Sequence, residues 1–216
     1  MVDGSDSDHI LWQQMRQGND LALGHLFDRY VTKLINYGKL ITPDAGLVED
    51  SIQDVFVSLW TNRKNLSQAN SVKSYLYASL RRVLIRKIAH QRTENTTHNP
   101  LDTILAIEDS YEQWIIKQQK ENTTKQAVAQ LLQTLTPQQK KVIYLKFYEQ
   151  LTYGEIADTL QLNVKTVYNI VSSALHRLQR ELNETSSLNA ALFGTGSWLG
   201  LIILLEQIIT TSTGLD

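Results

Sequence analysis

The chain has 216 residues, of which 42% are hydrophobic, so it can form one or two domains with their own cores. It contains no cysteine, which excludes disulfides, thiolate zinc sites and cysteine nucleophiles. The net charge of −1 indicates no partner by itself, and the acidic N-terminus lacks the features of a secretory signal, so we expect a cytoplasmic location.

The first elements are predicted to be helices. Residues 1–8 are expected to form a disordered tail, Ile10–Gly18 a short helix, and Asp20–Gly38 a second helix with apolar side chains at helical spacing. Pro43 and Gly46 then interrupt the pattern.

A third helix is predicted over Leu47–Trp60. Its core stripe consists of Val48, Ile52, Val55 and Leu59. Val57 lies on the side opposite to this stripe, and Gln53 and Trp60 lie between. An apolar side chain there indicates either docking to a partner or cover by another helix of the same domain, and the pattern leaves both interpretations open.

A basic helix is predicted over Val72–Arg92, after a polar loop of residues 61–71. It carries six Lys or Arg and no acid. Its apolar face consists of Leu76, Tyr77, Leu80, Val83, Leu84 and Ile88. A different face combines an aromatic ring, a hydroxyl and guanidinium groups, from Tyr75, Ser79, Arg82 and Arg86. Such a face suits a phosphate backbone and an unstacked base, with an ordinary solvated helix face as the alternative.

The segment that follows is predicted to be a flexible acidic linker over residues 96–122. From Asn99 to Glu121 its net charge is −3, and its apolar residues are isolated.

The second domain has strong helix-start signals. After a helix over Lys125–Leu135, capping boxes are predicted at Thr136 with Gln139 and at Thr152 with Glu155, and Asn163 is a suitable N-cap. Helices are therefore predicted over residues 137–149, 153–160 and 164–182. The last two are joined by two or three residues, which is the helix-turn-helix pattern.

The last of these helices has two distinct sides. Its buried stripe is predicted to be Val167, Ile170, Val171, Ala174 and Leu178. The opposite side carries Lys165, Asn169, Ser172, His176 and Arg180. A helix of this kind fits a DNA major groove, which we favour over a mere packing unit.

With these motifs, residues 23–182 resemble the extracytoplasmic-function (ECF) group of bacterial RNA polymerase sigma factors, in the sigma-70 family. Six motifs carry the resemblance in this order: LFDRY at 26–30, VEDSIQDVF at 48–56 followed by LW at 59–60, SYLY at 74–77 followed by RR at 81–82, LTPQQ at 135–139, YGEIA at 153–157, and VKTV at 164–167 followed by AL at 174–175.

The resemblance implies an all-α protein of two small helical domains. A sigma-2 helical bundle would occupy residues 9–95, the linker 96–122, and a sigma-4 helix-turn-helix domain 123–184, followed by a hydrophobic C-terminal extension, 185–216. The function implied is to direct RNA polymerase to promoters and to help melt the −10 region. A helix-turn-helix regulator that acts without core polymerase, through a helical dimerisation or ligand domain, is the alternative.

The resemblance also implies roles for individual residues. Core polymerase, through its β′ clamp, would be bound by Glu49, Asp50, Gln53, Asp54, Val57 and Trp60. The −10 element would be bound by Asn70, Lys73, Tyr75, Ser79, Arg82 and Arg86, with the loop Asn65–Ser71 around a flipped base. The −35 element would be bound by Lys165, Thr166, Tyr168, Asn169, Ser172, His176 and Arg180.

Partners implied are the core polymerase (β′ clamp and β flap), promoter DNA and an anti-sigma protein. Membrane contact is expected only through an anti-sigma protein or, as a lesser alternative, through the tail, because the apolar run Trp198–Leu205 is far shorter than a bilayer span. No enzyme, cofactor or metal is expected, since the histidines are scattered and no catalytic motif is present.

Three positions depart from the family pattern. Tyr168 and Ile170 stand where many members carry Arg or Lys, so binding to an isolated −35 element is expected to be weak. Gln161 stands where the family often has Gly, so we expect that helix end to lack a left-handed cap.

Overall fold

The structure, a computed structural model, describes residues 4–95 and 131–184. These fall into two compact units, centred on the first and the second range respectively. Both described ranges contain helices and no strand, as the all-α prediction requires. The predicted linker, the residues before 131 in the second domain and the hydrophobic extension lie outside the described residues.

The N-terminal unit is a bundle of four helices. They are α1 (Gly4–Arg16), α2 (Asp20–Lys39), α3 (Ala45–Asn62) and α4 (Val72–Asn95), with a 3₁₀ turn, Arg63–Asn65, after α3. Each helix packs on the next, and α4 also packs on α1 and α2. Helix α3 begins two residues earlier than predicted because the Asp44 carboxylate accepts a hydrogen bond from the Leu47 N–H, at 3.0 Å.

The core of this bundle is formed by the predicted apolar stripes. On α4, Leu76, Tyr77, Leu80 and Leu84 are fully buried, and on α3 so is Val48. Tyr37 and Tyr77 meet edge to face with ring centroids 5.0 Å apart. Burial raises the pKa of the Tyr37 hydroxyl far above its ordinary value, against the lowering effect of Arg81, so this core residue stays neutral.

The start of the chain differs from the prediction. Helix α1 begins at Gly4, whereas the sequence predicts a disordered tail over residues 1–8. The reason is Asp8, which is buried and accepts hydrogen bonds from the Tyr30 hydroxyl and the Arg29 guanidinium of α2. These charge-assisted bonds fix the first turns of α1 on the bundle.

The C-terminal unit contains three further helices. They are α5 (Pro137–Ile143), continued by a π-helical turn (Tyr144–Tyr148), α6 (Tyr153–Leu160) and α7 (Val164–Glu184). Residues 131–133 are helical as well. The core joins this segment to α5 and α7 through Leu131, Leu135, Ile143, Ala174 and Leu178.

All three predicted caps form. Thr136 and Gln139 exchange hydrogen bonds of 3.0 and 3.3 Å, and Thr152 and Glu155 exchange bonds of 2.7 and 3.2 Å. The Asn163 side chain accepts from the Thr166 N–H at 2.7 Å. These caps fix where α5, α6 and α7 begin.

The turn between α6 and α7 corrects the expectation for Gln161. This residue adopts the left-handed conformation, with φ of 57°, although it is not glycine. The Leu162 N–H donates to the Ala157 carbonyl at 2.9 Å and the Gln161 N–H to the Asp158 carbonyl at 3.4 Å. The left-handed cap therefore forms with a side chain present, at the steric cost of that conformation.

Substitution of Gly38 by alanine is expected to destabilise the N-terminal unit by about 1–3 kcal/mol. A Cβ at Gly38 would lie 2.5 Å from Val48 Cγ1, so α2 and α3 would have to separate. The matched control is Gly24→Ala in the same helix, where a Cβ meets nothing within 4 Å. We expect this control to stabilise by about 1 kcal/mol through helix propensity. Urea unfolding measures both, and equal effects of the two substitutions would contradict the close α2–α3 contact.

Substitution of Gln161 by glycine is expected to stabilise the chain by about 1 kcal/mol, because glycine adopts a left-handed conformation without steric strain. Asp158→Gly, in the same helix, is the control and is expected to destabilise by about the same amount. Thermal unfolding compares them, and a lower Tm for Gln161→Gly than for the natural chain would show that Gln161 is not strained.

Candidate functional site

A groove between α3 and α4 brings four of the predicted DNA-binding residues together. Tyr75, Ser79, Arg82 and Arg86 all line this groove, which has a volume of about 400 Å³. We call it the α3–α4 groove. Its other lining residues are Val55, Ser58, Leu59, Asn62, Leu66 and Val83. Val83, predicted as part of the buried face, thus contributes to the groove and is only half-buried.

The chemistry of the α3–α4 groove is basic at the rim and apolar at the wall. Arg82 and Arg86 are exposed, and no carboxylate is among the lining residues. The Arg82 guanidinium donates to the Ser79 hydroxyl at 3.2 Å and to the Ala78 carbonyl at 3.3 Å, which holds it along the helix. This arrangement can place phosphates on the arginines and an apolar ring against the wall.

Tyr75 does not stand free in solvent. Its ring is half-buried and meets the Trp12 ring of α1 edge to face, with centroids 5.1 Å apart. The Trp12 indole N–H donates to the Ser67 carbonyl at 3.2 Å. Trp12 therefore contacts both the tyrosine and the loop before α4.

The other two predicted −10 residues lie in the loop before α4 and in the first turn of α4. Asn70 is exposed in the loop and Lys73 is half-buried in the first turn of α4, and neither is among the residues that line the groove. The Ser71 hydroxyl accepts from the Ser74 N–H at 3.2 Å and so caps α4.

A second groove lies between α2 and α3 and is mostly apolar. This α2–α3 groove has a volume of about 430 Å³ and is lined by Gln53, Val57 and Trp60, as predicted for one face of α3. The remaining lining residues are Asp20, Leu23, Phe27, Phe56 and Thr61. Val57 is 57% exposed, so the docking interpretation fits better than cover by another of the described helices.

The acidic residues predicted for the same surface are placed differently. Glu49 and Asp50 are exposed one turn before Gln53. Asp54 instead faces α4, where its carboxylate lies 2.7 Å from Lys87 Nζ. At the other end, the Arg63 guanidinium lies over the Trp60 ring at 4.2 Å from its centroid.

The predicted DNA side of α7 is exposed almost throughout. Val167, Val171, Ala174 and Leu178 are buried as predicted, and Ile170 is half-buried. The exposed residues on the other side are Lys165, Tyr168, Asn169, Ser172, His176 and Arg180. Thr166 is half-buried, and its hydroxyl donates to the Asn163 side chain at 2.8 Å as part of the cap.

A stack of side chains fixes Tyr168 at the start of α7. The Tyr168 ring is 52% exposed and stacks on Tyr153 of α6, with centroids 3.8 Å apart. Lys146 Nζ lies over the Tyr153 ring, 4.7 Å from its centroid, and donates a hydrogen bond to the Leu151 carbonyl at 3.2 Å. The α7 surface thus begins with a fixed aromatic platform where a flexible cation was expected from the family.

Sequence reasoning missed several residues that line the two grooves and one, Trp12, that contacts the lining residue Tyr75. Trp12, Ser58 and Asn62 were not predicted for the DNA surface, nor Leu23 and Phe27 for the partner surface. Ser58 and Asn62 follow Asp54 at four-residue spacing on α3, and this period was a usable signal. For Trp12 the sequence holds no local signal, because its partners are distant in the chain.

Neither a metal site nor a membrane span is found in the described ranges. In residues 4–95 and 131–184, no group of three or more His, Asp or Glu side chains is placed to hold a metal ion. None of the helices in these ranges is both long and apolar enough to span a bilayer.

Comparison with known protein families agrees with the order of the motifs. The model of the "Sigma-70 region 2" family matches residues 26–94, and that of "Sigma-70, region 4" matches residues 125–178. Together the two matches cover more than half of the chain. The first contains the α3–α4 groove residues of both helices, and the second contains the exposed face of α7 up to His176.

Similar proteins carry sigma-factor names. The chain is 22% identical over 171 residues to the ECF RNA polymerase sigma factor SigK of Mycolicibacterium vanbaalenii, covering 79% of this chain and 86% of that protein. It is 25% identical over 167 residues to the RNA polymerase sigma factor YlaC of Bacillus subtilis, covering 76% of this chain and 91% of that protein.

Solved structures show the same fold. CnrH, in complex with the cytosolic domain of CnrY, matches with a TM-score of 0.54 and 22% identity, over 82% of this chain and 98% of that one. The sigma factor RpoE of Bartonella quintana, in complex with the anti-sigma factor NepR, matches with a TM-score of 0.50 and 17% identity, over 74% of this chain and 96% of that one.

These matches do not favour the alternative of a helix-turn-helix regulator independent of polymerase, because region 2 accompanies region 4 in the sigma-factor order. The chain belongs to the sigma-70 family, within its ECF group, and directs RNA polymerase to promoters.

Proposed function

We propose that the α3–α4 groove captures the −10 element as it melts, that the α2–α3 groove docks on the polymerase, and that α7 binds the −35 element. The observation that carries this proposal is the α3–α4 groove, where Tyr75, Ser79, Arg82 and Arg86 meet around an apolar wall. Two neighbouring grooves on one helix can serve two partners at once.

The −10 assignment follows from charge and shape. Exposed Arg82 and Arg86 supply phosphate contacts, and Tyr75 with the wall residues supplies an apolar surface for a base that has left its stack. Asn70 and Lys73 lie at the loop end, where a strand leaving the groove would meet them. The favourable interactions of the single strand with this surface offset the free energy of unstacking.

The docking assignment rests on exposed apolar surface. Val57 and Phe27 are exposed, and with Leu23 and Trp60 they line a groove with few polar groups. A patch of this kind is typical of a protein interface. We assign it to the β′ clamp of core polymerase, with Gln53 in the groove and Glu49 and Asp50 as its acidic border, whereas Asp54 faces α4 and is left out of this surface.

The −35 assignment rests on α7. Lys165, Asn169, Ser172, His176 and Arg180 lie along its exposed side, with Tyr168 fixed near its start and Thr166 in the cap. With only two permanent cations among these seven residues, upstream binding needs the polymerase, whose β flap we assign as the partner of this unit.

We assign residues 9–95 to the sigma-2 domain, 96–122 to the linker and 123–184 to the sigma-4 domain, with 185–216 as an extension of unassigned role. The protein acts as a cytoplasmic initiation factor without covalent chemistry, and therefore not as an enzyme. An anti-sigma protein is a further proposed partner, supported by the similar structure of the sigma factor RpoE in complex with the anti-sigma factor NepR. Any membrane contact would run through that partner or, less directly, through the extension.

Run-off transcription with purified core polymerase on genomic promoter fragments tests the proposal. We expect initiation that depends on both core polymerase and this chain. The double variant Arg82→Ala, Arg86→Ala is expected to bind core polymerase normally but to form at least tenfold less open complex. The physical reason is the loss of two phosphate contacts, which also lowers the salt dependence of −10 binding by about one to two in slope. Permanganate footprinting measures the opening, and unaltered opening would show that the DNA surface lies elsewhere.

The docking surface is tested by Val57→Asp, which is expected to weaken core binding about tenfold or more, because a carboxylate would be buried in an apolar interface. The matched control is Leu21→Asp, since Leu21 is 72% exposed on α2 and does not line the α2–α3 groove. Fluorescence anisotropy of labelled chain with core polymerase measures both affinities. An equal effect of the two substitutions would refute the assignment of this groove.

A further inference from the structure

We infer that Trp12 is a positioning residue for capture of the −10 strand: through α1 it sets the loop before α4 and the Tyr75 ring in the arrangement that the unpaired strand requires. This inference rests on the proposed function of the α3–α4 groove and deepens it. Trp12 lies outside residues 26–94, where the match to Sigma-70 region 2 lies.

One side chain holds two parts of the proposed DNA surface. Trp12 is 1% exposed, its indole N–H donates to the Ser67 carbonyl at 3.2 Å, and its ring meets the Tyr75 ring at 5.1 Å between centroids. The first contact fixes the backbone of the loop, and the second limits the rotation of a side chain that lines the groove.

The loop has reason to depend on such a contact. Between Leu66 and Ser71 the backbone is neither helix nor strand, and Ser67, Gln68 and Asn70 are exposed. Short polar loops with few apolar side chains of their own open at low free energy. Ser71 fixes the loop at its α4 end through the Ser74 N–H, and Trp12 fixes it at its start.

Trp12 is itself held on a rigid support. Met15, one turn later in α1, is fully buried, and Asp8, one turn earlier, accepts hydrogen bonds from Tyr30 and Arg29 of α2. The position of the loop is therefore fixed, through Trp12, by the packed core of the bundle. A binding site held by a packed support in this way loses less conformational freedom when its ligand arrives.

The test uses full-length chain assembled with core polymerase, and fork-junction DNA from a promoter found by run-off transcription. Trp12→Phe keeps an aromatic ring and deletes the indole donor to the loop. For intact DNA we expect about fivefold weaker binding, the loss typical of one hydrogen bond. For DNA made abasic at the captured base of the −10 strand we expect less than a twofold change, because the loop then has no base to hold. Reduced 2-aminopurine fluorescence at that base reports the lost capture directly.

Two further variants separate positioning from folding. Met15→Leu, a volume-conserving change in the same helix, is expected to bind both DNAs like the natural chain. Trp12→Phe combined with the stabilising Gly24→Ala is expected to recover the Tm and to retain the loss of base capture. Three outcomes would overturn the inference. In the first, Trp12→Phe binds intact DNA as tightly as the natural chain, and in the second it loses the same affinity for intact and abasic DNA. In the third, the combination with Gly24→Ala restores base capture together with the Tm. A natural chain that does not prefer the intact base would instead contradict the proposed function of the groove.

Discussion

The N-terminal unit depends on the burial of one face of α4. Leu76, Tyr77, Leu80 and Leu84 are sealed against the other helices, and this fixes the rotation of α4 about its axis. Since a helix turns by about 100° per residue, burial of these positions forces Arg82 and Arg86 outwards and Tyr75 to the border between core and solvent. The hydrophobic effect, acting on core residues, thereby places the side chains that we propose bind DNA.

Helix α3 lies between the two proposed partner surfaces. Val57 and Trp60 line the groove towards α2, whereas Ser58 and Asn62 line the groove towards α4. A protein docked on one side of this helix therefore lies within a helix diameter of DNA held on the other side. The ion pair of Asp54 with Lys87 joins α3 to α4 and helps to fix the position of one helix against the other. Because the pair is partly exposed, it contributes little to the free energy of unfolding.

The parts of the structure that follow local rules could be predicted from sequence. The three caps of the C-terminal unit and the buried stripes of α3, α4 and α7 depend on residues three or four apart, and they form as predicted except at Val83 and Ile170, which are only half-buried. The contacts of α1 could not be predicted in this way, because Asp8 and Tyr30 are 22 residues apart, and Trp12 and Ser67 are 55 apart. Gln161 shows the opposite case, in which a local preference for glycine is overridden by the short connection that α6 and α7 require.

The aromatic platform at the start of α7 bears on how the proposed upstream contact would respond to salt. Stacked Tyr153 and Tyr168 present hydrocarbon where a cation would release condensed counterions from the DNA. If α7 binds the −35 element as we propose, that contact would lose less affinity in rising salt than it would with a cation at position 168. The choice among promoters would then change less with ionic strength.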